Sequence, residues 1–341
     1  MMTDLSTSYL GLALANPLVV SASPLSRDVA QIQKMAYLGA AAVVLPSLFE
    51  EQLTAEHEGR TAVPPPAPEG APAAATPLPD MASYNFGPQG YLEHIRQAKA
   101  AVTIPIIASL NATTPGGWVS YAREIEAAGA DALELNVYDV PTSPEVTGST
   151  LEQSYCDLVS LIKANVHIPV AVKLSPYFTS LPNLAWRLDQ AGADGLVLFN
   201  RFYQPDINIY EREVTPTLEL STPQELRLRL HWLATLFGQL RADLAATGGV
   251  HDVYDVVKAL LAGARVVMMT SALLRHGIAH LERVRQDLSR WLGDNGWGSV
   301  LAIQGQLSRR VVADPAVYER VNYMQVLTSY RPDPHGTRGG R

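Results

Sequence analysis

A repeated junction between an amphipathic stretch and an apolar run is the feature of this chain that most constrains its fold. Four stretches with helical periodicity end in a glycine and pass directly into a short apolar segment. The junction glycines are Gly39, Gly129, Gly192 and Gly263. Glycine adopts the left-handed conformation without steric penalty, so it ends a helix and lets the chain turn at once into a strand. Because the following runs are apolar almost throughout, we expect strands covered on both faces, as in parallel α/β proteins.

Apolar runs of strand length occur at eight places along the chain. They lie at 17–22, 42–45, 105–110, 132–137, 170–174, 195–199, 243–247 and 266–270. Helical periodicity separates them, for example over 119–128 and 252–262. This alternation predicts a (β/α)8 TIM barrel, with a doubly wound open sheet as the alternative. Residues 9–14 are expected to form an N-terminal hairpin that plugs the barrel floor.

The domain organisation follows from two interruptions of this rhythm. We expect one barrel domain over residues 1–310 and a C-terminal extension over 311–341 with a disordered end. Residues 61–80 are almost entirely Pro, Ala and Gly, which predicts a mobile loop. Residues 201–225 contain the alternating stretches INIYE and PTLELS, which predict a paired hairpin. Both insertions follow strand ends, so we expect them to shape the face that carries the active site.

Composition excludes several classes of function. The chain has 47% hydrophobic and 17% charged residues with a net charge of −7, which argues against disorder and against nucleic-acid binding. Cys156 is the single cysteine, so no intrachain disulfide forms, and its helical context indicates a buried structural thiol. No HExxH motif or Cys/His cluster is present, so no metal is expected. No membrane span or targeting segment is recognisable, and a soluble cytoplasmic protein without membrane or nucleic-acid partners is expected.

The last two predicted strands end in small residues suited to an anion. The seventh ends in Thr247-Gly248-Gly249 and the eighth in Thr270-Ser271-Ala272. In TIM barrels the loops after these two strands often bind a phosphate through backbone amides. The alternative is a pair of ordinary turns, but the two motifs together favour a phosphate site.

A lysine and several amide side chains occupy other strand ends. Lys173 closes the run VAVKL, where a charge is costly unless it is paired or reaches solvent. It suits either a Schiff-base lysine or a fixed cation beside a cofactor that gains negative charge. Serines and asparagines recur at the other strand ends and just after the 61–80 segment, at Ser21, Ser23, Ser47, Ser109, Asn111, Asn136, Asn200 and Asn85. Amides converging on one mouth indicate a flat polar ligand that carries donors and acceptors.

The order of these motifs resembles the dihydroorotate dehydrogenase family, in particular its soluble class 1 branch and a dihydroorotate dehydrogenase-like subgroup with SLFEEQ at 47–52. The motifs that carry the resemblance are NPLVVSASPLS (16–26), SYNFGPQGYLEHI (83–95), ADALELN (130–136), VAVKLSPYF (170–178), LVLFN (196–200), TGGV (247–250) and TSAL (270–273). They run in family order from about residue 9 to about residue 290.

The resemblance implies an FMN-containing barrel and a role for each matched position. Lys173 would stabilise the reduced flavin ring, and a small substrate would lie against the flavin for hydride transfer to N5. The cofactor-binding residues implied are Ala22, Ser23, Ser47, Asn111, Asn136, Lys173, Gly248, Gly249, Ser271 and Ala272. The substrate-binding residues implied are Asn85, Asn136 and Asn200. The resemblance also implies pyrimidine biosynthesis, a homodimer and an electron-accepting partner protein.

The chain departs from the family pattern where the general base is expected. Class 1 members continue from this asparagine as N-x-S-C-P-N, whereas here Asn136 is followed by VYDVP. An ungapped match places Asp139 at the base position, and Tyr138 is the other candidate. Asp139 is equally well interpreted as a turn residue. A lysine common after the second strand is replaced by Leu45 and Pro46.

Three functions remain open from the sequence. The first is an FMN-dependent oxidoreductase of the CH–CH donor type, in which Lys173 and either Asp139 or Tyr138 are catalytic. The second is an FMN-binding electron-transfer or regulatory subunit that has lost the dihydroorotate reaction. The third is an aldolase-type barrel that uses Lys173 as a Schiff base.

Overall fold

A closed barrel of eight parallel strands forms the centre of the molecule. The computed structural model describes residues 3–52, 86–111 and 118–329. Its strands are β1 (Thr7–Tyr9), β2 (Leu12–Leu14), β3 (Leu18–Val20), β4 (Ala42–Val44), β5 (Leu48–Phe49), β6 (Ile106–Asn111), β7 (Ala132–Asn136), β8 (Val170–Leu174), β9 (Gly195–Leu198), β10 (Asp206–Asn208), β11 (Glu213–Thr215), β12 (Asp243–Thr247) and β13 (Val266–Met269). The barrel runs β3-β4-β6-β7-β8-β9-β12-β13, and β13 returns to pair with β3. The barrel prediction is confirmed and the open sheet is excluded.

Helices connect the barrel strands and cover their outer face. They are α1 (Val29–Tyr37), α2 (Gly87–Ala101), α3 (Trp118–Ala127), α4 (Gly148–Lys163), α5 (Leu181–Gln190), α6 (Leu226–Leu236), α7 (Val253–Ala262), α8 (Ser271–His276), α9 (His280–Asp294), α10 (Val300–Ile303) and α11 (Tyr323–Thr328). The four junction glycines have φ values between 97° and 121°, as their place at the helix ends requires. Cys156 is buried on α4, and desolvation raises the pKa of its thiol, so the expected structural thiol is confirmed.

The N-terminal hairpin closes the floor of the barrel. Strands β1 and β2 pair antiparallel, and Tyr9, Leu10 and Leu14 pack in one cluster with inward-facing barrel residues. The Leu10 amide donates to Asp243 Oδ2 over 2.9 Å, which ties the hairpin turn to the start of β12. Burial raises the pKa of Tyr9 well above its usual value, and the nearby charges of Glu134 and Asp243 add to this. The open end for ligands is therefore the face at the strand C-termini.

A break in the second barrel strand is repaired by a side chain. Strand β4 pairs with β6 up to Val44, and strand pairing with β6 resumes at β5. In between, the Tyr91 hydroxyl accepts from the Ser109 amide over 2.8 Å and donates to the Ser109 carbonyl over 3.2 Å. Both backbone groups are thereby satisfied where a partner strand is missing. The break lets Ser47 turn inward, where its hydroxyl lies 2.8 Å from that of Ser109.

The insertion after β9 forms a hairpin in a different register from the predicted one. Strands β10 and β11 pair Asp206 with Thr215 and Asn208 with Glu213, so PTLELS lies beyond the hairpin and only the start of INIYE belongs to it. The reason is a local turn: the Asn208 side chain accepts from the amides of Tyr210 and Glu211 and reverses the chain there. The predicted mobile loop at 61–80 and the predicted disordered end at 331–341 lie outside the described residues.

The last described segment, 315–329, consists of short helical turns and α11 on the surface. Its apolar side chains Val321, Tyr323 and Met324 are 64% to 77% exposed. Across 3–52, 86–111 and 118–329, no helix has both the length and the apolar character needed to cross a bilayer.

Candidate active site

A cavity of about 260 Å³ opens at the C-terminal face of the barrel. Its lining comes from the ends of strands β3, β8, β9, β12 and β13 and from the segment that follows the β10–β11 hairpin. Of the residues singled out in the sequence, those that line it are Ser21, Ala22, Ser23, Lys173, Asn200, Thr247, Gly248, Gly249, Thr270 and Ser271. Residues from distant parts of the chain therefore converge on one mouth, as expected for strand ends in a TIM barrel.

The two glycines after β12 have a conformation and a packing that only glycine allows. Gly248 and Gly249 have φ values of 85° and 81°. A Cβ on Gly249 would overlap with the backbone nitrogen of Leu226, and one on Gly248 would lie 2.9 Å from Arg229 Nη2. The sequence interpretation attributed these glycines to close approach of a phosphate. The structure adds a second reason for glycine at these two positions, which is their close contact with the first turns of α6.

Ser221 joins the two predicted phosphate loops. Its hydroxyl accepts from the Gly249 amide over 3.2 Å, and its own amide donates to Ser271 Oγ over 3.1 Å. It is buried, with 4% of its surface exposed. Ala272, the other residue predicted for this cradle, is fully buried and lies outside the cavity lining. The cradle thus includes the chain after the hairpin as well as the ends of β12 and β13.

Lys173 lies in a polar cluster inside the barrel. Its Nζ is 3.4 Å from Glu134 Oε1 and 3.5 Å from Ser21 Oγ. The Thr247 hydroxyl donates to the same Ser21 oxygen over 3.5 Å. Lys173 is 7% exposed and Glu134 1% exposed, so this is a buried ion pair and not a lysine that reaches into solvent. Glu134 Oε2 has no hydrogen-bond partner within the described part of the chain.

Amide side chains occupy neighbouring strand ends at the same height. Asn111, Asn136 and Lys173 are partners in register across β6, β7 and β8. Asn200 donates from Nδ2 to Asn136 Oδ1, which places the two amides in direct contact. The pair retains the Asn136 amino group and the Asn200 carbonyl oxygen for a ligand with matching acceptors and donors. Asn85, the third predicted substrate amide, lies outside the described residues.

The two candidates for the general base have different surroundings. The Tyr138 hydroxyl accepts from the Tyr203 amide over 2.6 Å, which ties the loop after β7 to the loop after β9. Asp139 lies close enough to Tyr155 to act on its titration: desolvation, with Asp139 as the second cause, raises the pKa of Tyr155 to about 12. Neither candidate lines the cavity described above.

Sequence reasoning missed Glu134, Ser221 and Arg229 as residues of this site. Glu134 carried a usable signal, because it is a charge within the apolar run ALELN, two residues before Asn136 and therefore on the same strand face. Arg229 also carried one, since it falls on the buried stripe of α6 with Leu226 and Leu233. Ser221 gave no signal, because its position depends on the course of the insertion.

Comparisons with known proteins agree with this geometry. A family model described as "Dihydroorotate dehydrogenase" matches residues 4–292. "Putative dihydroorotate dehydrogenase A (fumarate)" of Aeropyrum pernix is 31% identical over 225 residues, which is 63% of this chain and 71% of that protein. "Dihydroorotate dehydrogenase B (NAD(+)), catalytic subunit" of Thermoplasma volcanium is 26% identical over 91% of this chain and 100% of its own length. The protein of the same name from Thermoplasma acidophilum is 27% identical over 89% of this chain and 99% of its own. From its closed barrel, its converging strand ends and this match, the chain belongs to the dihydroorotate dehydrogenase family.

Proposed function

We propose that this protein is an FMN-dependent oxidoreductase that takes a hydride from a C–H bond of a small polar ring, with dihydroorotate as the first candidate. The proposal rests on one observation: the buried lysine and the glycine loop line the same cavity at the barrel mouth. The buried Lys173 and Thr247 both contact the Ser21 hydroxyl. Thr247 is followed directly in the chain by Gly248 and Gly249. A fixed cation and an anion cradle thus belong to one cavity, which suits a ligand with a phosphate and an electron-rich ring.

The residues present fit FMN at both ends. The left-handed Gly248 and Gly249, with Ser221 and Ser271 beside them, form a polar concavity of the kind that holds a phosphate. Ala22 and Ser23 line the same cavity, and the Ser23 hydroxyl is buried without a hydrogen-bond partner among the described residues. Bound FMN would supply the hydride acceptor at N5, and Lys173 would place a positive charge beside the ring.

Substrate orientation falls to the amide pair. Asn136 and Asn200 hold each other in place through their hydrogen bond. Their other donor and acceptor, which have no partner within the described part of the chain, are therefore oriented before a ligand arrives. A dihydropyrimidine ring offers carbonyl and N–H groups that match them. Asn85 is proposed as the third amide of this set, and Asn111 and Ser47 as further cofactor contacts.

Asp139 is the better candidate for the proton acceptor. Asp and Glu carboxylates are common general bases in enzymes. Tyr138 already uses its hydroxyl oxygen to accept the Tyr203 amide. We therefore propose that Asp139 takes the substrate proton and that Tyr138 positions the two mouth loops.

The electron acceptor and the assembly belong to the same proposal. The relatives above carry names with two acceptors, fumarate and NAD(+), and the second kind is named a catalytic subunit. We propose that the protein forms a homodimer and binds an electron-accepting partner protein. Sedimentation of the purified protein alone tests the homodimer, and sedimentation with its co-purified proteins tests the partner.

A second function is favoured by one observation. Asp139 acts on Tyr155 of α4 and does not line the cavity, which is the arrangement expected if the base has been lost. The protein would then bind FMN and pass electrons without a small substrate of its own.

Product formation separates the two functions. The FMN-loaded protein is incubated with dihydroorotate and a dye acceptor, and orotate is quantified beside a Lys173→Met variant. The proposed function predicts orotate in proportion to dye reduction, with a loss of at least about 100-fold in the variant, because a fixed charge beside developing charge is typically worth this much. FMN binding without orotate, and with dye reduction from a protein donor instead, would favour the second function.

A further inference from the structure

We propose that Arg229 is the buried cation that binds the 5′-phosphate of the flavin nucleotide and makes the site select FMN over riboflavin. The inference rests on the proposed function, because it assumes a flavin in the cavity. It assigns the phosphate a charged side chain in addition to the backbone groups of the glycine loop.

Arg229 is placed inside the protein by its helix. It lies one turn after Leu226 on α6, on the stripe that packs against the barrel, and is 6% exposed. Desolvation lowers the pKa of its guanidinium, and the nearby charge of Glu225 partly opposes this. A charged group is seldom held inside a protein unless an opposite charge balances it there.

The hydrogen bonds of Arg229 all go to uncharged acceptors. Nε donates to the Thr247 carbonyl over 3.0 Å and Nη1 to the Glu225 carbonyl over 2.9 Å, and both acceptors are neutral. The Glu225 carboxylate instead contacts Arg201 through both oxygens, each at 3.0 Å. Among the described residues, Nη2 of Arg229 has no acceptor and its guanidinium has no ion-pair partner. A buried cation with one nitrogen free is suited to an anion from outside.

The free nitrogen lies where the phosphate is expected. Nη2 is 2.9 Å from the point that a Cβ on Gly248 would occupy, and Arg229 and Gly248 both line the cavity. The two hydrogen bonds to backbone carbonyls fix the guanidinium plane, so its remaining donors are oriented in advance. Guanidinium–phosphate hydrogen bonds are among the strongest in proteins because both partners are charged.

Lys173 marks the other part of the same ligand. The Thr247 carbonyl accepts from Arg229, while its hydroxyl donates to Ser21, which Lys173 also contacts. Ser21 and Thr247 thus link Lys173 to Arg229, and both cations line the same cavity. A ligand with a phosphate at one end and an electron-rich ring at the other matches this arrangement of charges.

The test compares two ligands that differ only in the phosphate. Dissociation constants of FMN and riboflavin are measured by quenching of flavin fluorescence for the wild type, Arg229→Gln, Arg229→Lys and Arg227→Gln. Arg227 lies on the same helix but is exposed, which makes it the matched control. We expect Arg229→Gln to weaken FMN binding between about 10- and 100-fold, the range for a hydrogen bond between charged groups. Riboflavin binding changes less than about 3-fold, and Arg227→Gln changes neither constant.

Arg229→Lys keeps the charge inside the protein and provides the test if Arg229→Gln does not fold. We expect it to weaken FMN binding by less than Arg229→Gln and again to spare riboflavin, because lysine supplies the charge without the fixed fork. Equal weakening of both flavins, or unchanged FMN binding, would overturn the inference and leave the proposed function intact. A wild type that binds neither flavin would overturn the proposed function and the inference with it.

Discussion

Lys173 Nζ and Glu134 Oε1 lie 3.4 Å apart inside the barrel, and more than nine-tenths of each residue's surface is shielded from solvent. Their strands are adjacent in the sheet, so the pair spans β7 and β8 at the level where the hydrophobic interior ends and the mouth begins. The charge that the proposed function uses is therefore held in place by a second buried charge, which lies outside the cavity lining.

This pair predicts a specific stability pattern. Glu134→Gln should lower the free energy of unfolding of the apoprotein by about 3 kcal/mol, because it leaves a buried ammonium without its counter-charge. Adding Lys173→Met should restore most of that loss. Urea denaturation measures both, with Glu93→Gln as the control, since the exposed Glu93–Arg96 pair should contribute less than about 1 kcal/mol. Equal effects of Glu134→Gln and Glu93→Gln would contradict the ion-pair interpretation.

The glycine loop predicts a second contrast. Gly249→Ala should lower thermal stability and flavin binding together, because its Cβ has no room beside Leu226. Gly296→Ala is the matched control: its φ of 74° is similar, but nothing lies within 4 Å of its Cβ position. The control should cost only the backbone strain of a left-handed residue, about 1 kcal/mol. If the two variants have the same melting temperature, the close packing of α6 on this loop is not what requires glycine.

His94 predicts a pH dependence of stability. Burial lowers the pKa of His94 from 6.5, and its Nε2 lies 2.8 Å from the Ser26 carbonyl, to which it donates. The unfolded chain therefore takes up a proton first as the pH falls below 6.5, and the free energy of unfolding decreases until the lowered folded-state pKa is reached. This contribution is at most about 1.4 kcal/mol per pH unit and is absent above the unfolded-state pKa.

Two histidine variants isolate that contribution. His94→Gln keeps a donor for Ser26 but cannot titrate. Its free energy of unfolding should therefore fall less than that of the wild type between about pH 7 and about pH 5.5, an interval that includes the unfolded-state histidine pKa of about 6.5. His167→Gln is the comparison at an exposed position, since the His167 side chain is 97% exposed. Denaturation curves at the two pH values compare all three proteins. A wild-type slope retained in His94→Gln would assign the effect to other groups.

The loop after β7 predicts different kinetic effects for its two polar residues. In dihydroorotate oxidation, Asp139→Asn should lower kcat by about 100-fold or more, the usual contribution of a general base. Tyr138→Phe should change kcat little and raise KM, because it removes the acceptor for the Tyr203 amide and loosens the mouth. In Asp139→Asn the pKa of Tyr155 should also fall below about 12. An unchanged kcat in Asp139→Asn would identify Asp139 as a turn residue.

The fold could be predicted because its signals are local. Backbone sterics require glycine at the four helix ends, and the apolar runs after them can be recognised without knowing which distant segments cover them. The same signals predicted the floor hairpin, the ends of β12 and β13, and the placement of Lys173 at the mouth.

The remaining parts of the site depend on contacts between distant segments. Arg229 and Gly248 are separated by the rest of α6 and by β12, and no sequence pattern indicates that the guanidinium packs against that loop. The hairpin register was wrong because the Asn208 side chain reverses the chain earlier than the alternating pattern indicated. Ser221 follows from that register and could not have been placed without it.

An anaerobic titration of the FMN-loaded protein with dihydroorotate, followed by visible absorbance, tests the central claim most directly. The account predicts that the oxidised flavin absorbance bleaches in proportion to added dihydroorotate, that one orotate forms per flavin reduced, and that Lys173→Met binds FMN but bleaches far more slowly. A flavin that stays oxidised with dihydroorotate while dithionite still reduces it would contradict the account.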